Sequence, residues 1–243
     1  DIRMSLWRYG GEYGEFFSAN RNKGNDVIHL LHISKTGGTA IRNALANARD
    51  AGRYTIYFAP HAFRLRHVPV GTKCAFFLRD PISRYVSSFN HIKLQGYPSY
   101  KIVPRVAEQK ALKRFETANE LALSIYSKDS KIARKARAAM RNLEHVRLHY
   151  SYWLQDVQYI NQRWNDIVLV GYQETLHDDY ETLLDCIGLD AQNFPLPGSR
   201  EGANRTKGLL DSYLEDKAKE NLRRWYSKDY EIYNYCRGKA SQA

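Results

Sequence analysis

Apolar positions along the chain fall into a few short dense runs, separated by longer stretches where they recur every three or four residues. Val27-Ile28-His29-Leu30-Leu31-His32-Ile33 is the first dense run and predicts a buried strand. It passes into Ser34-Lys35-Thr36-Gly37-Gly38-Thr39, a turn signal, and then into Ala40-Ile41-Arg42-Asn43-Ala44-Leu45, a helix start. Tyr54 to Phe58 alternates as a second strand, and Lys73 to Leu78 is a third. The third run ends at Arg79-Asp80-Pro81, where proline suits a first helical turn, and Ile82 to Ile92 continues with helical spacing. Long helical patterns fill residues 106–164. Ile167 to Gly171 is the fourth strand, followed by a helix from Leu176 to Ile187. A loop rich in Pro, Gly and Asn covers Asn193 to Gly208, and one amphipathic helix is predicted from Asp211 to Tyr235. Residues 1–25, rich in Gly, Asn and aromatics, show no period and predict an extended arm.

Strands that alternate with helices imply an α/β domain, a central parallel sheet covered by helices on both faces. No internal repeat or low-complexity linker interrupts the pattern. The simplest organisation is therefore one domain over 1–243, with 1–25 as an arm and about 94–148 as a helical insertion.

Composition narrows this picture in three ways. No apolar run approaches the roughly 18 residues of a membrane span. The three cysteines, Cys74, Cys186 and Cys236, are too scattered for a disulfide framework or a zinc site. The net charge of +11 favours an anionic partner, and it is concentrated: Lys101 to Tyr150 carries twelve Lys and Arg against five Asp and Glu.

The strand–loop–helix at 27–45 is the first candidate for chemistry. Unpaired backbone N–H groups at a glycine-rich turn bind phosphate well, and Gly37 and Gly38 let the backbone come close. Lys35 adds a point charge, Thr36 and Thr39 add hydroxyls, and the amides through Ala40 complete the loop. The spacing is not that of a Walker motif, which needs Gly, four residues, then Gly-Lys-Ser/Thr. Here the lysine precedes the glycines, and residue 32 is His.

His32-Ile33-Ser34-Lys35-Thr36-Gly37-Gly38-Thr39 closely resembles the 5′-phosphosulfate loop of the sulfotransferase superfamily, above all its carbohydrate branch, with Ser34 in place of the usual proline. About 40 residues on, Arg79-Asp80-Pro81 with Arg84 and Ser87 resembles the family's 3′-phosphate segment. Two motifs in the right order are far more specific than either alone. The resemblance extends to Tyr150 to Leu154, Val168 to Leu176 and Asn204-Arg205-Thr206-Lys207, and is weakest across 93–148. It implies a three-layer, P-loop-like fold and transfer of a sulfuryl group from 3′-phosphoadenosine-5′-phosphosulfate (PAPS) to an acceptor hydroxyl, without a metal. In that frame Lys35 stabilises charge at the bridging oxygen, and Thr36, Gly37, Gly38, Thr39 and Ala40 hold the 5′-phosphate. Arg79 and Ser87 hold the 3′-phosphate, and Arg205 and Lys207 close over the nucleotide.

An attacking hydroxyl needs a base. The resemblance implies His61, which follows the second strand between the two phosphate motifs. His67 is the next candidate, and Glu12, Glu15 and Asp80 are the carboxylate alternatives. His29 and His32 read as packed residues of the first strand. The basic stretch suits recognition of an anionic glycan or glycolipid acceptor, through Arg114, Arg134, Arg137 and Arg141 beside His67. Two other readings compete. A P-loop kinase of similar topology would require ATP and a metal. A nucleic-acid-binding domain would use the basic stretch, but it leaves both phosphate motifs unexplained. Few cysteines and no apolar anchor favour a bacterial-type cytoplasmic setting, with a trimmed Golgi-lumenal enzyme the alternative.

Overall fold

A computed structural model describes residues 10–22, 26–96, 101–197 and 210–240. Four parallel strands, β1 (Val27–Leu31), β2 (Thr55–Phe58), β3 (Lys73–Leu78) and β4 (Ile167–Tyr172), form one sheet in the order β2-β1-β3-β4. Register runs through His29↔Tyr57, His29↔Cys74 and Leu78↔Tyr172, with an irregularity between Cys74 and Ala75.

Alternation along the strands sends side chains to two cores. Ile28, Leu30, Ala75 and Phe77 pack with α2 (Gly38–Ala44) and α10 (Leu176–Ile187) on one face. Leu31, Phe76, Leu78, Val170 and Tyr172 face the other way. There they meet α8 (Tyr150–Leu154), α9 (Val157–Gln162) and α12 (Ser227–Ala240). The result is the three-layer arrangement that the sequence predicts.

The basic insertion is helical, as α4 (Val106–Arg114), α5 (Ala118–Ser124), α6 (Ser130–Asn142) and α7 (Glu144–Arg147). Its apolar side packs against α3 (Pro81–Lys93) and α11 (Asp216–Trp225) in a cluster around Phe89, Phe115, Leu121, Met140 and Leu222. Helix α6 shows why an Ala-Lys-Arg run folds this way. Ala133, Ala136, Ala139 and Met140 are buried, while Lys131, Arg134 and Lys135 face water.

Two predicted elements differ from those observed. Residues Gly10–Asn22 form a helix, α1, not an extended arm. A few aromatics carry it in place of a regular apolar stripe: Tyr13 is buried against Tyr57 and Phe63 and bonds His29 at 2.9 Å. The predicted C-terminal helix is two helices, α11 and α12, interrupted at Tyr226 (φ −97, ψ 26). The buried Tyr226 hydroxyl donates to the Val146 carbonyl at 2.8 Å, which ties the break to the insertion. Among the described residues no helix is long and apolar enough to cross a membrane.

Candidate active site

The sheet order itself creates the site. From β1 the chain moves to β2 on one side and then returns to β3 on the other. The carboxyl ends of β1 and β3 therefore flank a switch point, where crevices form in open α/β sheets. Lys35 follows β1, and Arg79 follows β3. Neighbouring strands lie about 4.8 Å apart, so residues 44 positions apart in sequence meet. Arg79 Nη1 donates to the Lys35 carbonyl at 3.5 Å.

The loop between β1 and α2 is built on left-handed backbone. Lys35 has φ 66 and Gly37 φ 95. A non-glycine residue held there is uncommon and marks a constrained turn. Thr36 is buried, and its hydroxyl donates to the Ile33 carbonyl at 2.9 Å, which locks the turn. That hydroxyl proton is thus engaged by the fold. The Ala40 amide likewise closes on the Gly37 carbonyl at 3.0 Å. Thr39 is exposed. Ser34, in place of proline, is buried with no partner for its Oγ among the described residues. Gly38 is required for space: a Cβ there would come within 2.6 Å of the His32 ring. A void of about 30 Å³ behind the loop is too small for more than a water or two.

Lys35 is largely withdrawn from water. Burial, helped by the Arg79 charge, pulls its pKa down to about 8. Arg79 is held by its backbone, since Tyr150 accepts its N–H at 3.0 Å and the same hydroxyl donates to its carbonyl. Its Nε is buried without a partner among the described residues. Arg79 and Ser87 line one cavity of about 490 Å³ with Ser83, Asn90, Gln173 and Lys219. That volume suits a small-molecule ligand. Sequence reasoning missed Lys219, whose α11 belongs to the C-terminal region and carries no motif.

Around Lys35 stand four histidines from four separate segments. His32 and His61 stack at 3.8 Å between ring centroids, His61 and His145 lie at 6.4 Å, and His91 and His145 at 5.4 Å. Desolvation and nearby cations keep all four neutral. His32 and His91 fall to about 4 and His145 to about 3, with Lys35 acting on His91 and His145. His61 is lowered by desolvation first, opposed by a bond from its ring to the His32 backbone. The Trp153 indole N–H donates to the His61 carbonyl at 2.7 Å and anchors that turn. His91 and His145 were not singled out in the sequence, because they lie in helices with no motif around them. Among the described residues no group of three or more His, Cys, Asp or Glu is arranged to hold a metal ion.

Other candidates sit elsewhere. His67 is buried, accepts the Arg64 N–H at 3.0 Å and caps the short turn Leu65–His67. Asp80 caps α3 through Ser83 N–H at 2.9 Å and takes the Tyr230 hydroxyl at 2.8 Å, so both its oxygens are engaged. Glu12 and Glu15 are exposed on α1. Arg114 and Arg134 are exposed on the insertion, Arg137 is half-buried, and Arg141 lies over the Trp225 ring. Arg205 and Lys207 lie outside the described residues. Cys74 and Cys236 are buried free thiols, each pushed up to about 12 by desolvation.

No curated protein and no solved structure matches the chain. The sulfotransferase family model matches residues 21–236 and so spans the turns that carry Lys35 and Arg79, all four strands and the histidine cluster. The chain belongs to the sulfotransferase family.

Proposed function

We propose that this sulfotransferase takes its sulfuryl group from PAPS and transfers it by in-line displacement to a hydroxyl of a carbohydrate acceptor, in a single domain and without a metal. The observation that carries the reading is the meeting of two anion-binding groups from separate strands. Lys35 is a desolvated cation, and the buried Arg79 Nε beside it has no partner. A nucleotide with phosphates at both the 3′ and 5′ positions would occupy both. Native folds rarely leave a buried guanidinium nitrogen unpaired, which favours a ligand there.

The donor, when bound, supplies an activated sulfuryl group with a good leaving phosphate. Lys35 stabilises negative charge as it grows on that phosphate, in a dry setting where a fixed cation counts most. Arg79 and Ser87 hold the 3′-phosphate, and a guanidinium suits this through its fork of donors. The loop at Gly37 and Gly38 lets the backbone approach the 5′-phosphate. His61 is the base. It is exposed at the rim and neutral near pH 7, the form that accepts a proton. The exposed cations Arg114 and Arg134 would meet an anionic glycan away from the reacting centre.

Melting with ligands tests the donor. Adenosine 3′,5′-bisphosphate without metal should raise the melting temperature, by about 2.7 kcal/mol of linkage at one hundred times Kd. Stabilisation by ATP–magnesium and none by the bisphosphate would instead favour a kinase and overturn the proposal.

A further inference from the structure

The histidine cluster carries an inference that rests on the proposed transfer and deepens it. We propose that His145 is a second acceptor-side residue: with His61 it brackets the acceptor hydroxyl, His61 taking the hydroxyl proton and the Nδ1–H of His145 donating to the hydroxyl oxygen.

Four observations converge. The Nδ1 of His145 is buried and has no hydrogen-bond partner among the described residues. Such atoms are normally paired, so a ligand atom is the natural partner. The His61 and His145 ring centroids stand 6.4 Å apart, a span that one oxygen with bonds of about 2.8 Å to a nitrogen of each ring would bridge. His145 is also held firmly. Its carbonyl accepts from Arg84 Nη1 at 3.4 Å, and Arg84, only 2% exposed, bonds the Leu148 carbonyl and pairs with Asp229. Finally, burial first and then the charges of Lys35 and Arg84 keep His145 neutral.

The donor role follows from proton count. An alcohol has one proton, and His61 receives it. A second imidazole touching the same oxygen must therefore donate. As the new O–S bond forms, the bond from sulfur to the leaving phosphate breaks and its electron pair is left opposite Lys35. His145 holds the attacking oxygen and exchanges no proton. A neutral N–H suits an uncharged alcohol, whereas an arginine here would draw a second anion into the site.

Water is the smallest hydroxyl acceptor, so hydrolysis of PAPS is the probe, read by release of the bisphosphate from the full chain. His145→Leu should slow it on the order of 10²-fold, the usual effect of losing one positioned donor. The affinity for adenosine 3′,5′-bisphosphate should stay within about twofold, which also shows that the variant is folded. His145→Asn, whose amide N–H stands close to the Nδ1 position, should recover most of the rate. Nitrogen-15 NMR at pH 7 should find the His145 proton on Nδ1. Equal loss in both variants, full activity in the leucine variant, or a proton on Nε2 would each overturn the assignment. A wild type that binds no bisphosphate would instead overturn the PAPS reading.

Discussion

Gly38→Ala isolates how tightly the candidate phosphate loop and the candidate base are coupled. Gly37 has φ 95, but Gly38 lies outside the left-handed region, so alanine adds no backbone strain at Gly38. Its methyl would stand 2.6 Å from His32 Cδ2 and 2.9 Å from Nε2. Moving from 2.6 Å to an ordinary 3.4 Å takes about 0.8 Å of travel. The His32 ring cannot absorb that alone, because His61 stacks on it at 3.8 Å. The displacement therefore reaches His61, the proposed base. Overpacking of this kind costs about 1–3 kcal/mol of stability, while a shift near 1 Å in a reacting group costs about 10²-fold in rate. Turnover and bisphosphate affinity, measured together on Gly38→Ala, should show a rate loss of that order and a smaller change in affinity. The double variant Gly38→Ala with His32→Ala removes the obstructing ring and should regain affinity lost to the loop shift. A Gly38→Ala enzyme with wild-type turnover would refute the coupling. So would a double variant with no better affinity than the single one.

Two further outcomes follow from charge. Lys35 has a folded pKa of about 8, below its ordinary value of 10.5. Between those pH values the unfolded chain holds the extra proton, so folding gains from Lys35 as pH rises through that window. Anion binding needs the cation, so bisphosphate affinity should fall as pH passes 8. Calorimetry across pH 7–9.5 checks this, and Lys35→Met should flatten the fall. Asp229 is buried beneath the site, where it accepts from His149 Nδ1 at 2.5 Å and Tyr150 N–H at 2.7 Å and faces Arg84 at 3.8 Å. Asp229→Ala should therefore cost about 3–5 kcal/mol, a fall in Tm of about 6–20 °C on thermal denaturation.

Much of this was legible in the chain because the informative features are local. Four dense apolar runs gave four strands, and the Gly-Gly and Arg-Asp-Pro turns stood directly after two of them. What placed Lys35 beside Arg79 was not local: strand order is set by crossovers of many residues, and only the sheet shows β1 next to β3. Helix α1 was hidden for a related reason. Its stability comes from Tyr13 fitting among Tyr57, Phe63 and His29, contacts made from outside its own sequence. His91 and His145 illustrate the same limit. Each sits in a helix of ordinary appearance, and only packing of the insertion on α3 turns both towards Lys35.

Polar groups in the site divide by charge, and the division fits the proposed chemistry. Lys35 and Arg79 come from the ends of adjacent central strands, the most rigid part of the sheet, and supply fixed positive charge. The histidines come from the β1 end, the turn after β2, α3 and α7, and supply neutral groups. One residue links the two sets. The Lys35 charge acts on His61, His91 and His145 and opposes their protonation. A bound polyanion would offset that charge, since opposite charges close together favour each other's ionised form. In the proposed transfer, donor binding would make His61 readier to accept a proton. On that reading Lys35, the cation proposed to face the leaving group, also withholds basicity from His61 until the donor binds. A half-buried lysine beside an arginine is costly without an anion to face it, and in the proposed transfer the same arrangement would join donor binding to activation of the base.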